Sequence, residues 1–294
     1  MTTTASAMQL PAPSGQQGQP GMAEHIGALA EHSLVLEVRT WPKPGLVSHV
    51  DTGSHSDMDA GTFQRSAAAL RPYFAALVEA GMQNQDMAVL RRIGLRAEGA
   101  MAAATGGVNT HRGAIFGLGL LCAAAGLRLR CDTEVPTSLG KTVSRRWGQA
   151  ILSGPRRIDS HGEAVKRRHG AGGARQEAAL GFPSIYDIGL PALREGARLA
   201  PGDVQAARVQ CCFALIAALE DTNLLHRGGA DGLRFAQHSA QAFLDTGGVG
   251  QADWQHAAEQ VHRAFVARRL SPGGAADLLA MSVFAMAIEQ KAAR

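Results

Sequence analysis

Apolar residues return at intervals of three and four along most of the chain, the spacing that lines one face of an α-helix. In the segment 23–40 the positions Ile26, Leu29, Ala30, Leu34, Leu36 and Val38 follow such a stripe, and Trp41-Pro42 and Pro44-Gly45 then end it. After a polar loop the stripe resumes at Phe63, Ala67, Leu70, Phe74, Leu77 and Val78. Asp57 is placed to cap that second helix, and Pro72 is expected to kink it. Similar patterns predict helices over 87–104, 113–127, 137–152, 174–180, 190–199, 204–220, 233–243, 254–270 and 275–288. No segment alternates as a strand between hairpin turns. The expectation is an all-α protein: a single domain over 23–294, with about ten or more helices whose Gly-rich loops line one ligand cleft.

Composition narrows the class. Aromatic residues make up 5% of the chain against 46% hydrophobic residues in all, which suits packed helices better than a β-sandwich. The first 22 residues are rich in Thr, Ser, Gln, Gly and Pro and are expected to form a disordered tail without the apolar core of a signal peptide. The apolar run 114–127 is too short to span a bilayer, so the chain reads as cytoplasmic. Cys122, Cys131, Cys211 and Cys212 include no CxxC pair and are expected to be reduced thiols. The net charge of +4 is dispersed, and Arg145-Arg146, Arg156-Arg157 and Lys166 to Arg168 do not alternate with aromatics. That argues against nucleic acid and leaves room for a basic pocket that takes a phosphate-rich small molecule.

The polar loops carry the chemistry. In KPGLVSHVDTGSHSDMD, residues 43–59, Asp57 and Asp59 can offer oxygen to Mg²⁺, while Lys43, His49 and His55 can meet phosphate. Residues two apart on a helix point to different faces, so the two aspartates share an ion only where the backbone is irregular. In GGVNTHRG, residues 106–113, Asn109 or Thr110 can cap the next helix, whose free amides, with His111 and Arg112 beside them, would seat a phosphate. GAGGARQE, residues 170–177, sets Arg175 and Glu177 after a flexible run that lacks the Lys-Ser/Thr ending of a P-loop. DTNLLHRGG, residues 221–229, puts Asp221, Asn223 and Arg227 at a helix end closed by glycines, where a plain C-cap is the alternative. SPGGAADLLA, residues 271–280, reads as a turn and a helix start, with Asp277 favourable to the dipole. There is no GxSxG, HExxH or activated cysteine.

Taken in order, EVRTWPKPGLV, GSHSDMD, GVNTHRGAIFGLGLL, GARQEAALGFP, DTNLLHRGG and SPGGAADLLA resemble the triphosphoribosyl-dephospho-coenzyme A synthase family of citrate lyase and malonate decarboxylase maturation, from about Glu24 onward. The resemblance implies that ATP is joined to dephospho-CoA with release of adenine, through a new ribose-to-ribose bond. It further implies a retained triphosphate held by Mg²⁺, Lys43, Arg112, Arg175 and Arg227, with His55, Asn109, Thr110, His111 and Asn223 as further substrate contacts. Asp57, Asp59 and Asp221 would hold the metal. An oxocarbenium-like transition state calls for a carboxylate, for which Glu37, Asp57, Asp59, Glu177 and Asp221 are the candidates. Arg112 stands where the family commonly has Lys, and Gln176 where it has Gly. A downstream acyl carrier protein transferase is the implied partner, and the absence of an appended transferase segment points to malonate decarboxylase. Two other readings are a Mg²⁺-dependent ADP-ribosyl hydrolase and a basic nucleic-acid-binding module.

Overall fold

Helices α1 (Pro20–Val38), α2 (Ala60–Met82), α3 (Met87–Thr105), α4 (Arg112–Arg130) and α5 (Leu139–Ser153) form the first half of the structure, a computed structural model. A short α6 (Gly173–Ala179) and a π-helical turn (Ser184–Gly189) lead into α7 (Leu190–Leu199), α8 (Val204–Ala218), α9 (Thr222–Asp245), α10 (Trp254–Ala267) and α11 (Gly273–Lys291). The structure describes residues 20–130, 137–155 and 173–291. Among these there are eleven α-helices and no strand, in one all-α domain. The expectations for residues 1–19, for Cys131, for the clusters at 156–157 and 166–168 and for residues 170–172 fall outside the described residues.

Helix α4 is the axis of the N-terminal half. From Ala114 to Gly126 nearly every residue is buried, as expected for a helix apolar on all sides. It runs to Arg130, longer than its apolar stripe indicated, and by length and composition alone it is long enough to cross a membrane, although most of it is buried inside the protein. Helix α2 packs on α1, α3 and α4. Its crossing with α4 is close because both helices offer glycine: a Cβ at Gly81 would lie 1.9 Å from the Ala123 carbonyl oxygen, and one at Gly126 1.9 Å from that of Val78. In the other half α8 packs on α7 and α9, and α11 joins the halves by touching α1 and α4 on one side and α8, α9 and the π-helical turn on the other.

Three boundaries depart from the periodicity. Helix α1 begins at Pro20, so residues 20–22 belong to it and not to a tail; proline suits a first helical turn, where its missing N–H is not needed. Helix α2 is capped by Asp59, whose Oδ1 accepts from Thr62 N and Thr62 Oγ1 at 2.7 Å each, and not by Asp57. Helix α9 starts at Thr222, eleven residues before its apolar stripe, and continues across a break at Gly229 (φ 61°, ψ −162°). Asp221 therefore opens a helix where a closing end was expected.

The α2–α4 crossing is directly testable. Gly81→Ala should cost about 1–3 kcal/mol or more, because backbone has to move. Gly94→Ala in α3, where an added Cβ meets nothing within 4 Å, should instead stabilise by about 0.5–1 kcal/mol. Denaturant unfolding of both variants checks the contrast.

Candidate active site

The start of α11 gathers residues from four distant segments. Asp221 caps α9 through Oδ1, which accepts from Asn223 N (2.8 Å) and Leu224 N (3.3 Å), while its Oδ2 accepts from Ala275 N in the first turn of α11 (3.0 Å). One buried carboxylate thus satisfies orphan amides of two helices. Asp277, on the same helix start, accepts from the Ala114 amide of α4. Its carboxylate occupies space left by Gly113, where a Cβ would lie 2.0 Å from Oδ2. The loops 106–113 and 221–229 are therefore packed against one helix terminus. From the end of α1, Glu37 adds a third carboxylate in a buried ion pair with Lys43.

Burial dominates the electrostatics here. It raises Glu37, against which the Lys43 charge and hydrogen bond pull down. It raises Asp221 despite four backbone amides that stabilise the anion. Asp277 goes up furthest, by burial first and then by repulsion from Glu37 and Asp221. His111 moves the other way: burial, with the Lys43 charge nearby, takes its imidazole down to about 3. Three carboxylates and a neutral ring close to one buried ammonium are an arrangement seen where protons are moved. Cys122, Cys211 and Cys212 are buried thiols raised by desolvation, which makes them poor nucleophiles.

At the rim of this cluster, Arg227 Nη1 donates to the carbonyls of Ser54 (3.1 Å) and Arg269 (3.2 Å), and its Nη2 lies 3.2 Å from His55 Nδ1. His55 Nε2 is 2.8 Å from Ser271 Oγ, and Asp57 Oδ1 lies 3.6 Å from His55 Nδ1. Burial and the Arg227 charge lower the His55 imidazole. His49 is exposed. Asn109 Oδ1 accepts from Arg112 N (3.3 Å), and the exposed Arg112 pairs with Glu98 at 3.3 Å. Thr110 Oγ1 donates to Ser66 Oγ at 2.7 Å.

Several expected roles are corrected. Lys43 is fully buried on Glu37 and not an open phosphate ligand. Arg175 donates to the carbonyls of Ile151, Leu152 (3.0 Å), Gly154 (2.9 Å) and Pro155 (3.1 Å), at the negative end of the α5 dipole. Glu177 accepts from Ser184 N at 2.8 Å and shapes the entry to the π-helical turn, with burial raising it. Asp57, Asp59 and Asp221 do not come together: among the described residues no group of three metal-ligating side chains forms. The cap hydrogen bonds occupy Asp59 and hold its carboxyl below the ordinary value.

Three residues escaped the sequence reading. In the sequence Asp277 reads only as a partner of the helix dipole. Ser66 and His262 sit on the apolar faces of α2 and α10, and a polar residue on such a stripe was the available signal. His262 Nδ1 lies 2.7 Å from the Lys43 carbonyl oxygen and 3.3 Å from the Gly45 amide, and its Nε2 faces Asp51 Oδ2 (3.1 Å), which anchors the loop that carries Lys43.

Comparison with known proteins fits this distribution of motifs. The family model for ATP:dephospho-CoA triphosphoribosyl transferase matches residues 23–294. A probable 2-(5''-triphosphoribosyl)-3'-dephosphocoenzyme-A synthase of Pseudomonas fluorescens (strain Pf0-1) is 41% identical over 277 residues, 92% of this chain and 93% of the relative. Its counterpart in Azotobacter vinelandii is 40% identical over 271 residues, 90% and 92% of the two chains. A 2-(5''-triphosphoribosyl)-3'-dephosphocoenzyme-A synthase of Pectobacterium atrosepticum is 42% identical over 262 residues, 85% of each. No solved structure matches.

The raised carboxylates set a pH dependence. A carboxyl whose pKa is higher folded than unfolded binds its proton more tightly in the folded state, so its contribution is full below about 4 and is lost as pH rises through the folded value. Asp277→Asn should therefore match the parent protein in stability in acid and exceed it increasingly as pH rises from about 4. Melting temperatures across that range test the sign; a gap that does not widen would show that Asp277 is not destabilised by ionisation.

Proposed function

This chain belongs to the ATP:dephospho-CoA triphosphoribosyl transferase family, and on that premise we propose that it joins ATP to 3'-dephospho-CoA to give 2'-(5''-triphosphoribosyl)-3'-dephospho-CoA and adenine. The observation that carries the reading is the meeting of Glu37, Lys43, His111, Asp221 and Asp277, from widely separated segments, around the start of α11. In the reaction a ribose hydroxyl oxygen of dephospho-CoA bonds to the anomeric carbon of ATP as the bond from that carbon to adenine breaks. The hydroxyl proton goes to a carboxylate, adenine leaves with the bonding electron pair and takes up a proton, and the triphosphate stays whole.

The two roles suit different carboxylates. Lys43 opposes the effect of burial at Glu37 and favours its anion, the form that accepts a proton and stabilises a cationic sugar. Glu37 and Asp221 add to the effect of burial at Asp277 and favour its acid form, which can protonate the departing base. Carboxyls whose environments push them apart divide acid and base work in this way. The exposed Arg112 and Arg227 are proposed to hold the triphosphate. The residues expected for Mg²⁺ do not fit a protein-built site, since Asp59 and Asp221 are occupied by backbone amides. Mg²⁺ is accordingly proposed to arrive with ATP phosphates, as this ion often does.

We further propose that the product is carried to the acyl carrier subunit of malonate decarboxylase by a separate transferase, a reading that rests on the motif resemblance. Mass spectrometry of the protein with ATP, Mg²⁺ and dephospho-CoA should reveal free adenine and a triphosphoribosylated coenzyme. Adenine or ribosyl release without dephospho-CoA would instead indicate a hydrolase. Asp277→Asn should lower kcat by about 10²-fold or more while the protein stays folded.

A further inference from the structure

His111 is 3% exposed, and its Nε2 has no hydrogen-bond partner among the described residues. The only other such buried side-chain atom there is Arg128 Nη1, which lies 3.9 Å from a Glu289 oxygen. Buried polar groups are almost always paired, with protein or with ordered water, so an orphan beside a polar cluster is a place for a bound partner.

A hydroxyl relay decides what kind of group the orphan is. Thr110 Oγ1 donates to Ser66 Oγ at 2.7 Å, and Ser66 Oγ is 2.7 Å from His111 Nδ1. With Thr110 as its donor and no other acceptor for it among the described residues, Ser66 Oγ gives its own hydrogen to Nδ1. In a neutral imidazole the hydrogen is then on Nε2, which becomes a donor without an acceptor. Burial and the nearby Lys43 charge both keep the ring neutral.

Charge decides what the acceptor is. The buried cation, Lys43, is already paired with Glu37, so a phosphate placed beside His111 would be a buried and uncompensated anion. A sugar hydroxyl is neutral, can accept from Nε2–H and keeps its own hydrogen for a carboxylate. The cations proposed above for phosphate, Arg112 and Arg227, are exposed. We infer that His111 is a neutral hydrogen-bond donor to a ribose hydroxyl of a bound substrate, with the sugar held inside and the triphosphate outside. This rests on the transfer reading above and replaces the phosphate contact expected for His111. Nε2 is sealed from solvent, and the partly exposed Phe63 ring packs 4.9 Å from the imidazole, nearly perpendicular to it.

Nitrogen-15 histidine spectra of the whole protein test the inference without turnover, with the His111 signals identified by their loss in His111→Gln. The expected result is a hydrogen on Nε2 whose resonance moves on addition of ATP or dephospho-CoA and stays in place with inorganic triphosphate. A hydrogen on Nδ1 instead, or a response to inorganic triphosphate, would overturn it. Kinetics then identify which ribose is bound. The parent protein should lose about 10- to 100-fold in kcat/KM when the contacted hydroxyl is absent, in 2'-deoxy-ATP or 3'-deoxy-ATP for one sugar and in 3'-deoxy-dephospho-CoA for the other. His111→Phe should no longer distinguish that analogue from its parent compound, and His111→Gln, which keeps an N–H donor, should regain part of the distinction. If His111→Phe discriminates as well as the parent protein does, the inference fails. A spectral response to the nucleotides without any adenine release would leave the inference standing and remove the transfer reading.

Discussion

The Asp221 carboxylate is the interaction on which the rest of the site depends. It reaches the backbone amides that open α9 and α11 at once, and α11 is the helix that joins the two halves of the fold. Helix starts carry amides that need acceptors, and a buried start needs them most. By supplying one acceptor to two helices, Asp221 sets the entry of α11 against α4. Asp277 reaches the Ala114 amide from that position, and Gly113 leaves the room for it. The loop of Lys43 is held from another side by His262 of α10, through the Lys43 carbonyl and Asp51.

This arrangement carries an electrostatic cost. Three carboxylates share a largely buried neighbourhood with Lys43, and their upward shifts express how poorly the interior tolerates their ionised forms. A fold selected only for stability would replace such groups by apolar ones, which is often neutral or favourable. Their presence is better understood as function, since sites that move protons need groups whose ordinary ionisation has been shifted.

Charge is also sorted by depth. Glu37 and Lys43 neutralise each other inside, His111 is neutral beside them, and the guanidinium groups of Arg112 and Arg227 remain at the surface. A ligand with a highly charged end and a sugar in its middle matches this gradient, the charge at the exposed cations and the sugar in the interior. The same gradient separates a loop that looks rich in ligands into parts: Lys43 is in the core, His55 and Asp57 are at the rim, and Asp59 is a helix cap.

Periodicity along the chain was enough to determine the all-α class and nearly every helix, because an apolar stripe of helical spacing has to be buried somewhere and few alternatives bury it. The motif series also singled out the segments of Lys43, His111 and Asp221, which the fold brings to the start of α11. Local spacing did not decide which of Asp57 and Asp59 caps α2, since a cap depends on the dihedral angles where the helix begins. Nor did it separate Arg175 and Glu177, which serve local backbone, from Asp277, which looked like a residue for the helix dipole. The contacts that give Asp221, Asp277, Ser66 and His111 their roles join residues far apart in the chain. Only helix packing brings such residues together, and only burial then turns ordinary carboxylates and an ordinary imidazole into groups with altered protonation.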